Sequence, residues 1–139
     1  MFLEFLKYQA TGNDFVIVDY RYKTVQHLTT NKIKSICDRN LGIGSNGFIE
    51  IYESNNFDFR MIYYNSDGKK SSLCGNGTRC AVKYVGNILK KEKVTFEAFD
   101  GIHIGFLDKN NNISIEMSDV EDYKVFNNYM LFETGSPHY

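Results

Sequence analysis

The sequence predicts an α+β domain with a largely antiparallel sheet, and three observations carry that prediction. About eight short runs alternate or cluster in apolar and aromatic residues, bounded by Gly, Asn and Asp. Only two stretches repeat at helical spacing. Most of the connections are of hairpin length, so the order is not one of alternating strand and helix.

Taken in order, Phe2 to Tyr8 alternates crudely and reads as a first strand, and Phe15 to Asp19 (F-V-I-V-D) as a short buried second. A-T-G-N-D between them is built of residues that tolerate unusual backbone angles, which marks a turn. Thr29 or Thr30 can cap a helix to about Arg39, with Ile33, Ile36 and Cys37 at i, i+3, i+4 on its inner face. Strands follow at Phe48–Glu53 and Phe57–Tyr64, and N-S-D-G at Asn65 to Gly68 is an Asp-Gly hairpin signal. From Asn76 the period lengthens: Cys80, Ala81, Tyr84, Val85, Ile88 and Leu89 line one side of a second helix. Further strands fit Val94–Phe99, Ile102–Leu107, Ile113–Met117 and Tyr129–Glu133, with turns at Asp100-Gly101 and Lys109 to Asn112. The ending E-T-G-S-P-H-Y runs a strand into a corner and reads as a junction with more protein beyond it.

With 139 residues, the chain has the length of a single domain. It is 42% apolar and 24% charged, a globular balance, and its 10 Tyr and 11 Phe favour strands. A net charge of −1 with scattered lysines argues against a nucleic-acid or acidic-membrane partner. Glu4 interrupts any N-terminal signal stretch, and no apolar run is long enough to span a membrane. Three cysteines without a secretory signal point to free thiols in a reducing, cytoplasmic setting.

The chemistry concentrates in S-L-C-G-N-G-T-R-C, Ser72 to Cys80. A thiol at Cys74, just before a helix, lies beside free first-turn amides and the positive end of the helix dipole, which favour thiolate. Gly75 and Gly77 leave the backbone unshielded, and the same amides suit a carboxylate or phosphate. Two readings stay open from these residues: a base or nucleophile beside an anion site, or a structural cysteine at a glycine-rich cap. Cys80 and Cys37 read as small buried hydrophobes. A metal site lacks further ligands, because the three histidines are single and dispersed. Gly42 to Gly47 mimics a phosphate loop but leads from helix into strand, so turn geometry explains it better. Asn13 and Asn65 sit at turns, where asparagine is also common for backbone reasons alone.

T-G-N-D-F (Thr11–Phe15), D-R-N-L-G-I-G (Asp38–Gly44), Y-N-S-D-G (Tyr64–Gly68), C-G-N-G-T-R-C (Cys74–Cys80) and T-G-S-P-H (Thr134–His138) occur in the order and spacing of one family. The chain resembles the N-terminal half of diaminopimelate epimerase over nearly its whole length. That resemblance implies strands wrapped around a central helix, one half of a pseudo-symmetric two-domain fold. Residues 1–139 would then be the N-terminal domain, with the C-terminal domain absent from this chain. It implies a cofactor-independent interconversion of LL- and meso-diaminopimelate, on the route to lysine and peptidoglycan precursors, by two cysteines on opposite faces of the α-carbon. Cys74 matches one of the pair, and Asn13, Asn65, Gly75 and Asn76 match substrate-holding positions; no metal is implied. Ser136 stands where the family often has an Asn that contacts substrate. The implied partners are a small amino-acid substrate and the C-terminal domain, and an uncovered interdomain face would be free to pair in a homodimer. The alternatives are a half-domain that only binds a carboxylate or a partner, and a related amino-acid racemase or isomerase.

Overall fold

The computed structural model of the protein describes residues 2–24, 27–134 and 137–138, the last two by backbone alone. The sheet is organised around its most apolar strands. β1 (Leu6–Ala10), β2 (Asn13–Asp19), β3 (Gly47–Tyr52), β4 (Phe59–Asn65), β5 (Lys93–Ala98), β6 (Gly101–Leu107) and β7 (Ile113–Ile115) lie in sequential order. In β2, β3 and β4 both faces are covered. Phe15, Ile17, Ile49, Ile51, Phe59 and Met61 face one core. Val16, Val18, Phe48 and Tyr64 face another. Two-sided burial is why F-V-I-V reads as a continuous apolar run and not as an alternation.

Four of the six ladders are antiparallel. The other two, β2–β3 and β4–β5, are parallel. A tight turn cannot join parallel neighbours, so each of these joins contains a helix: α1 (Thr30–Cys37) and α2 (Gly75–Leu89). α2 packs against all seven strands, which curl round it as a half-barrel, while α1 lies on the opposite face against β3. The expected α+β class with a central helix is therefore present, and its sheet is mixed.

Local rules set the element ends. Thr29 caps α1 by accepting a hydrogen bond from the Lys32 amide at 3.3 Å. The helix stops at Cys37, short of Arg39, because Asp38 turns extended and its side chain accepts from the Asn40 and Leu41 amides. Ile33, Ile36 and Cys37 are buried as the spacing predicts. On α2, Cys80, Ala81, Val82 and Val85 are buried, Tyr84 and Leu89 pack partly, and Ile88 turns to solvent, against the expected stripe. Val82 and Val85, fully buried, each contribute about 1.5–3 kcal/mol.

The first strand begins at Leu6 and not Phe2, since its ladder runs from Leu6–Ile17 to Ala10–Asn13. Phe2 is left exposed. A second small sheet of β8 (Tyr123–Val125), β9 (Met130–Glu133) and β10 (Pro137–His138) adds two strands the sequence reading lacks. β8 is exposed along its length and carries no burial pattern to detect. Among the described residues, no helix is long and apolar enough to cross a membrane.

Candidate active site

α2 begins on a cysteine. Cys74 is extended (φ −100°, ψ 111°), forms the N-cap without a side-chain cap bond, and is half-buried. The first helical bond runs from the Thr78 amide to the Cys74 carbonyl at 2.8 Å. The amides of Gly75, Asn76 and Gly77 thus have no acceptor in the helix, and the dipole adds positive potential where they point. This is a ready-made place for a carboxylate. Gly77 brings the turn close to the sheet: a Cβ there would stand 3.2 Å from Ile49 and 3.3 Å from Phe15.

The two asparagines come to the same end of the sheet. β1 and β2 are joined by Thr11-Gly12, both with positive φ (54° and 81°), a two-residue turn whose twist matches its strands. Asn13 follows as the first residue of β2. Phe15 pairs with Gly47 and Gly47 with Asn65, so Asn65 ends β4 two strands from β2, roughly 10 Å across the sheet. The turn after it closes through Gly68 N–H to the Asn65 carbonyl at 2.9 Å, which fulfils the Asp-Gly signal. Asn76 differs from the other two. Its side-chain carbonyl faces the Thr11 hydroxyl at 3.2 Å and accepts from the Arg79 guanidinium.

The remaining thiols are unlike Cys74. Cys80 is buried, and burial first, then the nearby Cys74, push its pKa up to about 11. Cys37 is buried too and accepts from the Ser45 hydroxyl at 3.3 Å; burial raises its pKa. All three are free thiols. Tyr63 is the neighbour the sequence reading missed. Burial, then the Cys74 thiol beside it, hold its phenol well above the usual tyrosine value. Period-2 spacing from Phe59 and Met61 marks its face, but nothing local marks its neighbour.

The glycine loop after α1 is occupied with its own helix. Amides of Gly42, Ile43, Gly44 and Ser45 bond to the carbonyls of Asp38, Ile36 and Cys37, and Gly44 has φ +78°, so the turn reading is the correct one. Asp14 buttresses this loop. It pairs with Arg39 at 2.7 Å and Lys7 at 2.9 Å, and the Arg39 hydrogen bonds chiefly hold its carboxyl below the ordinary range. His103 is buried against Phe96 with Nε2 2.9 Å from Asp100. Among the described residues, no three His, Cys, Asp or Glu side chains gather as metal ligands. Ser136, in the Gly-Ser-Pro-His corner, lies outside the described residues.

Residues 5–122 match the family model described as diaminopimelate epimerase. The diaminopimelate epimerase of Flavobacterium psychrophilum is 42% identical over 138 residues, which cover 99% of this chain and 54% of that protein. That of Prochlorococcus marinus is 41% identical over 123 residues, covering 83% and 43%. The chain spans about half the length of the curated relatives it matches. Among solved structures, a PhzF-family phenazine biosynthesis protein of Bacillus anthracis shares the fold with a TM-score of 0.60 at 22% identity, covering 90% of this chain and 42% of that one. A hydroxyproline epimerase of Agrobacterium vitis does so at 0.59 and 9%, covering 94% and 47%. The fold matches within one half of each, and the sequence match to the epimerases covers nearly the whole of this chain, so it belongs to the diaminopimelate epimerase family.

Proposed function

We propose that this chain is the N-terminal half of a diaminopimelate epimerase and supplies one of its two catalytic thiols. The observation that carries the reading is the uncapped N-terminus of α2, with Cys74 beside three free amides at the sheet end that also holds Asn13 and Asn65. Cys74, as thiolate, takes the α-proton of the amino acid: the S–H bond forms, the C–H bond breaks, and its electron pair passes into the carboxylate. The amides of Gly75 and Asn76 receive that carboxylate and stabilise the charge as it grows, the logic of an oxyanion hole. A thiol on the opposite face, carried by the C-terminal half, returns a proton and inverts the centre. Asn13 and Asn65 hold the amino acid between these groups. The carboxylate held by the amides takes the electron pair and the second thiol returns a proton, so the reaction as proposed runs without a cofactor.

The C-terminal half is the partner this reading requires. Tyr123, Val125, Phe126, Tyr129 and Met130 are exposed on and around the small sheet, which supports a covering surface there. The test is hydrogen exchange. The chain is incubated with LL-diaminopimelate in D2O, alone and together with a C-terminal half from a relative. Deuterium at the α-carbon only in the combined sample is the expected result. Its absence from both samples sinks the epimerase reading and leaves a carboxylate-binding half-domain.

A further inference from the structure

The chain has four arginines, and the surroundings of three of them answer their charge. Arg21 forks onto Asp19, Arg39 onto Asp14, and Arg60 lies over the Tyr52 ring at 5.0 Å from its centroid. Arg79 differs. It is half-buried in the second turn of α2 and has no carboxylate partner among the described residues. Its hydrogen bond goes to a neutral group, the side-chain carbonyl of Asn76 three residues back. That carbonyl also faces the Thr11 hydroxyl at 3.2 Å, so Asn76 is held from two sides. Apart from its chain neighbours and the helix backbone, a Cβ at Gly75 would meet only Arg79, with Nη1 at 3.8 Å. The space over Gly75 is therefore open and edged by a cation. The groove beside it, about 490 Å³ between β1, α2 and the turn before β7, has Thr11, Arg79 and Lys83 in its lining and no carboxylate. Lys83, one turn further along, donates to the Asn111 side-chain carbonyl.

We propose that Arg79 is a positioning residue for the substrate carboxylate: it fixes Asn76 from the carbonyl end, and its unanswered charge draws the carboxylate onto the Gly75 and Asn76 amides. This deepens the epimerase reading and takes its substrate class from it, though the pull on a carboxylate can be measured without turnover. The free amides at the start of α2 supply direction but only partial charge. A whole charge beside them adds range. Even at the dielectric of water, a unit charge a few Å away is worth about threefold to fivefold in the local occupancy of an anion. The two roles do not compete for the same atoms. A guanidinium carries five N–H donors in a rigid fork, and the bond to Asn76 leaves the others free.

The experiment alkylates Cys74 in the whole chain with a mixture of iodoacetate and iodoacetamide at low salt. Mass spectrometry reads the ratio of the two products at that cysteine. Both reagents meet the same thiolate, so the ratio reports the pull on a carboxylate and not the ionisation of the thiol. Arg79→Gln lowers the ratio by about threefold to fivefold, with the melting temperature little changed. Lys83→Gln removes the same charge one turn further away and lowers the ratio much less. Arg79→Lys keeps the charge without the fork and falls between the wild type and Arg79→Gln. Salt at about 1 M brings the wild-type ratio down toward that of Arg79→Gln. A ratio that Arg79→Gln leaves unchanged, or that Lys83→Gln lowers equally, overturns the proposal. If Arg79→Gln melts below the assay temperature, the salt series on the wild type decides, and a ratio that does not fall with salt overturns the proposal too. The readout uses neither substrate nor a second half, so its failure is distinct from a failure of the deuterium test.

Discussion

The Thr11 hydroxyl lies 3.2 Å from the Asn76 side-chain carbonyl, which ties the tip of the first hairpin to the first turn of α2. Thr11 holds this place at φ 54°, a left-handed conformation that a β-branched residue adopts at a cost of about 1–2 kcal/mol. Thr11→Gly removes both the strain and the tie. Its melting temperature is expected to equal or exceed that of the wild type, while KM in the combined enzyme rises about fivefold, the worth of one hydrogen bond. Thermal melts and steady-state kinetics on one preparation check both halves of that statement.

Cys74 and Cys80 are six residues apart and are expected to part completely in function. Cys74→Ala abolishes deuterium exchange and leaves the fold standing, since the side chain is only half-buried and caps nothing. Cys80→Ala keeps exchange and lowers stability by about 1 kcal/mol, the loss of one small buried group. The thiols also differ in reactivity. Cys80 titrates at about 11 and is shielded, so near neutral pH iodoacetamide is expected to label Cys74 and spare Cys80.

How far the residues foretell this arrangement depends on the range of the forces involved. Both helices, the cap at Thr29 and the Asp-Gly turn follow from local rules, and the structure has all of them. The parallel joins do not. F-V-I-V shows a strand covered on both faces, but which neighbour covers it is decided by α1 and α2 packing from opposite sides. β8 is three residues long and exposed along its length, too short for its Tyr-Lys-Val alternation to stand out as a period. In the site, Cys74 and its two glycines are legible because a helix N-terminus is a local feature. Tyr63 was out of reach: the space its ring occupies depends on the absent side chain of Gly47, a contact across two strands.

Asp14 gives the fold a predictable acid limb. Its folded pKa is depressed, first by Arg39, so its stabilisation is complete above the unfolded value of about 4 and drains away as the pH falls below it. Asp14→Asn is expected to lower the melting temperature at pH 7, with the gap to the wild type closing as the buffer is taken below about pH 4. A gap of constant size across that range would mean that the hydrogen bond from the Asn46 amide to Asp14 Oδ1, and not the charge, holds the loop.

The grip of the half-barrel on α2 rests on a side chain that is missing from β6. A Cβ at Gly105 would stand 2.5 Å from Val82 Cγ2 and 2.7 Å from Cγ1, and Val82 is fully buried with no space to retreat. Gly105→Ala is therefore expected to destabilise the chain by about 1–3 kcal/mol through overpacking. Val82→Ala on its own opens a cavity and costs about 2 kcal/mol. Together the two changes remove two methyl groups from Val82 and add one at Gly105, so the double variant is expected to lose at least about 1 kcal/mol less than the sum. Urea unfolding of the four proteins measures this coupling. Strict additivity would mean that β6 yields by moving away from α2, and that the helix is held in place by the central strands alone.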